Sequence, residues 1–377
     1  MADAPHAGPA PTQETPADDD ETAHSACNAP SVLRLHGADD ARDPDFPSSC
    51  APEDAWTRAT EAEQAAAARC DVEGRPIDLA RLLEGALSLD ADTTEHVRRV
   101  FQSGQSRGRR SDAFGLIGDS MTVAWNFLSP FADGAGQAIV PAEVKKALAL
   151  ASPIDEAGDV LTLFRGARRH RGNKIVRVDP FVAPRAAKVG VRASWPLSPR
   201  GPQEPSPLDE MVAAVSPAYA VVLYGANDAV WHAESLDALV RDFSSSLSAI
   251  VDALESRGIV PVLTTVPKHM RARGWPDCAQ AQGGLSNERF AVQATTLSSA
   301  VADVACRRHL PLIDLRWSLD PLVYHGVGPD GIHLSAHRSG GGVLDESGLQ
   351  CGYNVRNLVT LRELALVVDA VSTRAKD

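Results

Sequence analysis

"FGLIGDSMTVAW", residues 114–125, decides how this chain is read. An apolar run enters Gly118-Asp119-Ser120, and apolar spacing of helical period follows it. The pattern is a strand turning abruptly into a helix, with Ser120 at the junction. A serine there can be an ordinary helix cap, its hydroxyl satisfying an orphan N–H. It can also be a nucleophile held up for attack at a strand end. The flanking sequence has to separate the two.

Working outward, strands of the same kind recur. "AYAVVLYG" (218–225), "IVPVLTTVP" (259–267) and "LPLIDLR" (310–316) are almost continuously apolar. Between and after them lie helical patterns. One runs from a Ser235 cap to Gly258, one covers 286–309 with Ser286 or Asn287 as cap, and one closes the chain over 354–371. Upstream, "IDLARLLEGALSL" (77–89) reads as an amphipathic helix, and "TTEHVRRVFQSG" (93–104) as a second one closed by Gly104. "SMTVAWNFL" (120–128) begins the helix after the first strand. Apolar strands alternating with helices predict an α/β domain whose central, mainly parallel sheet is covered on both faces. Ligand sites in such sheets lie at the carboxyl ends of the strands.

Residues 153–210 are less regular, with many Gly, Pro and Arg and a single strand pattern, "NKIVRVD" (173–179). The basic cluster Arg165, Arg168, Arg169, Arg171, Lys174 and Arg177 has no interleaved aromatic residues, so it reads as a solvated face. Composition agrees. The 377 residues carry a net charge of −12, which argues against a nucleic-acid partner, since such binding rests on neutralising phosphates. No run approaches the roughly 18–20 apolar residues of a membrane span. Most of the acidity sits in residues 1–60, where twelve Asp or Glu face three Arg. That stretch is rich in Ala, Pro and Asp and lacks periodicity. Residues 1–75 therefore read as a largely disordered acidic segment, and residues 76–377 as the folded domain. Cysteines stand at 27, 50, 70, 278, 306 and 351, an even count without a C-x-x-C pair. Disulfides are expected rather than a structural zinc site, and with them an oxidising compartment. The N-terminus shows no basic-then-apolar leader. The expectation is a secreted or cell-envelope protein, monomeric, whose leader Met1 has replaced.

Three short segments follow strands and should meet at one sheet edge: "GDS" (118–120), "GAND" (225–228) and "DGIH" (330–333). Singly, each has a plain reading as a cap, a turn or a structural histidine. Together they supply the parts of acyl transfer. Ser120 is a nucleophile that needs a neighbouring base. His333 is that base. Asp330, three residues earlier, fixes its tautomer and stabilises the imidazolium. Asn227 and the backbone N–H of Ser120 are donors for the oxyanion.

These blocks resemble those of the SGNH (GDSL) hydrolases, a superfamily of serine esterases and lipases. "GDSMT", "GAND" and "DGIH" match three of its sequence blocks in order, over roughly residues 76–377. The resemblance implies a three-layer α/β/α, flavodoxin-like fold. It implies Ser120, His333 and Asp330 as the triad and Asn227 in the oxyanion hole, with no cofactor and no metal. The family's oxyanion glycine has its best counterpart in "AAKVGVRASW", as Gly190, with Gly166, Gly172 or an amide near Ala193 as alternatives. The ending "GLQCGYNVRNLVTL" (348–361) resembles a bacterial, secreted subset of the family.

The expected activity is hydrolysis of a carboxylic ester of a small molecule, polysaccharide or lipid, through an acyl-enzyme. An acyltransferase with the same triad and a non-catalytic surface binding protein are the rivals. His232, His325 and His337 read as surface or pocket-rim residues, and Asp119 as a support for the turn. Trp125, Trp195 and Trp231 read as core or as walls of an acyl or sugar pocket.

Overall fold

The computed structural model describes residues 26–29, 76–136, 138–151, 157–165, 168–171, 174–231, 235–268, 287–328 and 330–372. The helices and strands run, in chain order, α1 (Leu79–Leu83), α2 (Ala91–Ser106), β1 (Arg110–Gly118), α3 (Ser120–Val123), α4 (Ala142–Ala147) and α5 (Val160–Arg165). There follow β2 (Arg168–Arg171), β3 (Lys174–Arg177), β4 (Ala186–Ala187), α6 (Pro207–Val215), β5 (Pro217–Leu223), α7 (Ala226–Trp231) and α8 (Leu236–Glu255). The chain closes through β6 (Val260–Thr264), α9 (Asn287–Arg308), β7 (Leu312–Ile313), α10 (Leu315–Leu319) and α11 (Gly352–Ser372).

Five strands form one parallel sheet in the order β4-β1-β5-β6-β7. Counted along the chain, that order is 2-1-3-4-5, the flavodoxin-like arrangement. Alternate side chains of each strand point to opposite faces. Phe114, Leu116, Tyr219, Val221 and Val262 pack on one side with α1, α2, α5 and α11. Ala113, Ile117, Ala220, Val222 and Leu263 pack on the other with α6, α8 and α9. The result is three layers, α/β/α, with a core on each face of the sheet.

Several expectations from sequence are corrected by tertiary contacts. The helix expected over 77–89 stops at Leu83, because the Gly85 carbonyl accepts the Asp314 N–H (2.7 Å) and Ala86 bridges to Ile313. Gly104 does not close its helix, which runs on to Ser106. Its missing side chain instead lets α2 approach the Gly258 backbone, since a Cβ there would lie 2.0 Å from the Gly258 carbonyl oxygen. The strand expected over 310–316 shrinks to Leu312–Ile313, because Asp314 caps α10 through the Trp317 N–H (3.3 Å). "NKIVRVD" does not join the main sheet, and its strand β3 pairs antiparallel with β2. The sheet neighbour of β1 is instead the two-residue β4, which carried no strand signal.

Within the acidic N-terminal segment, residues 26–28 form a short 3-10 turn, Ala29 is buried, and Cys27 is disulfide-bonded to Cys306 at the end of α9. Cys351 is also disulfide-bonded, and Cys50, Cys70 and Cys278 lie outside the described residues.

The turn out of β1 is tightly built around Gly118. A Cβ at this position would lie 2.3 Å from Thr122 Oγ1 and 2.6 Å from the Leu223 carbonyl oxygen. Gly118→Ala is therefore expected to destabilise the fold by about 1–3 kcal/mol, the usual range for overpacking. Thermal or denaturant unfolding reads the loss, and an unchanged midpoint would contradict the packing described.

Candidate active site

The carboxyl ends of β1 and β5, with the loop that follows α10, build one cluster. β1 ends at Gly118 and the chain turns at once into α3. The cap of that helix is Asp119 rather than Ser120: its carboxylate accepts the Met121 N–H (3.1 Å). Ser120 is thus the first helical residue, and its hydroxyl is left for another partner. That partner is His333, whose Nε2 lies 2.8 Å from Ser120 Oγ although 213 residues separate the two. His333 Nδ1 lies 2.5 Å from Asp330 Oδ2. Asp330 Oδ1 accepts the N–H groups of Ile332 (3.0 Å) and His333 (2.8 Å), so one turn fixes the carboxylate and the ring together. The turn is closed by Gly328, which donates its N–H to the His333 carbonyl (2.7 Å). Side chains of both His333 and Asp330 remain about half exposed, at 42% and 52%, so the pair opens to solvent.

Asn227 comes from the first turn of α7, just past β5. Its side-chain amide donates to Asp119 Oδ2 (3.3 Å). An amide nitrogen carries two hydrogens, so one remains for a further acceptor. Asp119 therefore joins two of the expected site segments from a fully buried position. Burial pushes its carboxyl up to about 6, against the pull of the Met121 N–H and the charges of Arg356 and His333. Asp228 is pushed up to about 6 as well, again by burial, and accepts the Ala193 N–H (3.1 Å).

That bond bears on the oxyanion alternatives. The Ala193 amide is committed to Asp228. Gly166 and Gly172 lie outside the described residues. The Lys188 N–H donates to the Gly118 carbonyl (3.2 Å), which lays the start of the 188–193 turn against the residue before Asp119. Gly190 sits two residues further on, exposed, with φ +76°.

The remaining candidates fall around this cluster. Trp125 is 57% exposed, so it is not a core residue, and Trp195 is half-buried. The side chain of Trp231 and all of His232 lie outside what is described. His325 turns back on Asp320, within 3.1 Å of its carbonyl, and His337 accepts the Ser339 N–H (3.2 Å). Sequence reasoning missed Arg185, Asn354, Arg356, Asn357 and Asp228. The first four touch the segments that carry Ser120 and His333. The only sequence signal of Asn354, Arg356 and Asn357 was polar residues inside a helix that is buried on every side over 352–361, and Arg185 carried none.

Burial alone would raise the Asp330 carboxyl, but the hydrogen bonds from His333 and from two backbone N–H groups outweigh it and hold the group below its usual value. His333 is raised in turn, chiefly by its hydrogen bond to Asp330. The cluster can therefore stabilise an imidazolium once it forms, and above the raised value it presents a neutral imidazole to a serine hydroxyl.

No protein-family model matches the chain, and no curated protein matches it. Among solved structures it is similar to the lipase/acylhydrolase from Enterococcus faecalis. Identity is 17%, over 67% of this chain and 95% of that one, with a TM-score of 0.35.

The Asp330 bond makes a prediction about protonation. Because the His333 value is raised, its imidazolium persists above the ordinary 6.5, and the neutral base appears only as pH rises past the shifted value. Asp330→Asn removes the main cause, so the midpoint should fall. NMR titration of the His333 ring reads both. A wild-type midpoint at or below 6.5, or one that Asp330→Asn leaves in place, would contradict the geometry.

Proposed function

We propose that this protein is an SGNH-type serine hydrolase that cleaves a carboxylic ester through an acyl-enzyme. The observation that carries the reading is the unbroken chain Ser120 Oγ, His333, Asp330, at 2.8 and 2.5 Å. A serine hydroxyl next to a neutral imidazole that a carboxylate orients is the arrangement a nucleophile requires.

The steps follow from it. His333 Nε2 takes the Ser120 proton as Oγ attacks the ester carbonyl carbon. The carbonyl oxygen becomes an oxyanion, received by the free hydrogen of the Asn227 amide, the Ser120 N–H and the Gly190 N–H. The C–O bond to the alcohol then breaks, and His333 returns its proton to the departing alkoxide. Water enters, gives a proton to His333 and attacks the acyl-enzyme. The tetrahedral intermediate collapses, Ser120 recovers its proton from His333, and the acid leaves. These steps draw on protein side chains, backbone amides and water. Asp330 keeps its charge throughout and stabilises the imidazolium that forms twice per turnover.

The exposed Val123 and Trp125, three and five residues after Ser120, offer an apolar wall for an acyl or alcohol group. The Cys27–Cys306 bond supports placing the protein in an oxidising, extracytoplasmic compartment.

Turnover of p-nitrophenyl esters from acetyl to palmitoyl, alongside release of acetate from acetylated xylan, tests the reading and orders the substrates. Ser120→Ala should abolish turnover with the fold intact. Asn227→Ala should lower kcat by about 10²- to 10³-fold, the usual loss for one oxyanion donor. Full activity in Ser120→Ala would refute the mechanism.

A further inference from the structure

α3 is a single turn of helix, four residues long. A lone turn does not repay the cost of its own nucleation. Its last carbonyls also lack partners within the helix. Two arginines supply them. Arg356 donates from Nη1 to the Met121 carbonyl (2.7 Å) and from Nη2 to Thr122 Oγ1 (3.2 Å). Arg185 donates from Nη1 to the Thr122 carbonyl (2.6 Å), and from Nη2 to Ser129 Oγ (2.6 Å) and the Phe181 carbonyl (2.9 Å).

Arg356 is the unusual one. It is 1% exposed, and its hydrogen bonds go to a carbonyl and a hydroxyl rather than to a carboxylate. Burial pulls it down to about 10, so it is still a cation at neutral pH. Its guanidinium carbon stands 3.5 Å over the Phe127 ring, and its charge acts on Asp119 at the other end of the same turn. Burying a cation costs desolvation energy, which the carbonyl, the hydroxyl and the Phe127 ring face here offset.

Its neighbours on α11 do related work. Asn357 accepts the Leu128 N–H (3.0 Å) and donates to the carbonyls of Asn126 (2.8 Å) and Gly341 (2.9 Å). Asn354 donates to the Gly340 (3.1 Å) and Val343 (2.7 Å) carbonyls and accepts the His337 N–H (3.2 Å). Both side chains are fully buried. One face of α11 thus grips the segment after Ser120, and the adjoining positions grip the loop after His333.

We propose that Arg356, with Asn354 and Asn357, forms a positioning jig: the buried first turns of α11 set the nucleophile segment and the base segment in register. The proposal rests on the serine-hydrolase reading for its kinetic consequence, but not for its structural one. These are positioning residues, since none touches Ser120 Oγ or the His333 ring.

Two readouts test it together. Steady-state kinetics on p-nitrophenyl acetate should show kcat about 10- to 100-fold lower in Arg356→Met, with KM within about twofold, as expected when reacting groups are slightly misplaced. Arg356→Lys should recover part of that loss. Leu358→Ala, a buried change on the same helix, should lower Tm without the kcat loss. Hydrogen exchange of the amides should rise over residues 119–128 in Arg356→Met and over residues 336–343 in Asn354→Leu, with the sheet unchanged. Should Arg356→Met fail to fold, Asn357→Leu carries the exchange test on residues 126–128, which Asn357 holds. A folded Arg356→Met with wild-type kcat and wild-type exchange overturns the jig. If the wild type hydrolyses no ester, the functional reading falls and the exchange pattern alone decides the jig.

Discussion

One turn of helix, fastened from outside at both ends, is the constraint on which this structure depends. Asp119 holds its first N–H groups, and Arg356 and Arg185 hold its last carbonyls. A cation at the carboxyl end and a carboxylate at the amino end both suit the helix dipole. The turn needs that help because it is short, and it is short because the chain must leave at Ala124 to form the segment that α11 grips. The flavodoxin-like order puts β1 between β4 and β5, so the turn emerges where both neighbours can reach it. β5 brings Asn227 to Asp119, and the residues after β4 bind the Gly118 carbonyl.

The electrostatics of the site have two tiers. Underneath lie Asp119, Asp228 and Arg356, all buried, with the two carboxyls pushed up to about 6 by loss of water. Groups buried this way are tolerated when backbone N–H and carbonyl dipoles satisfy them, and here each has at least one such partner. Above them, Asp330 and His333 stay partly in solvent and shift in opposite directions through their mutual bond. The lower tier sets geometry. The upper tier carries the proton that a serine nucleophile would have to give up.

Much of this was legible in the sequence because local signals and tertiary outcome agreed. Apolar strands at 114–118, 218–223 and 259–264 had no other way to bury both faces, and Ser235 and Gly258 bracket α8 as their types require. Two of the three motifs directly follow strands β1 and β5, whose ends a parallel sheet gathers, and the third reaches the same edge through the loop after α10. What escaped is what tertiary contact decides. The two-residue β4 has no periodicity to detect. α3 looked like the start of a longer helix, because nothing local announces that Arg185 and Arg356 will replace its continuing hydrogen bonds. Nothing in the pattern of the closing helix marks Asn354, Arg356 and Asn357 as interior, yet the helix is buried there on every side. The oxyanion glycine stayed open for a related reason: the order 188–193 takes depends on Asp228, 35 residues from the Ala193 it binds.

The central claim is that Ser120 is a nucleophile, activated by His333. A fluorophosphonate probe, followed by intact mass and peptide mapping, measures it most directly. The account predicts a single covalent adduct, on Ser120, formed much more slowly when His333 is replaced by alanine. An unlabelled protein, or an adduct carried by another residue, would contradict it.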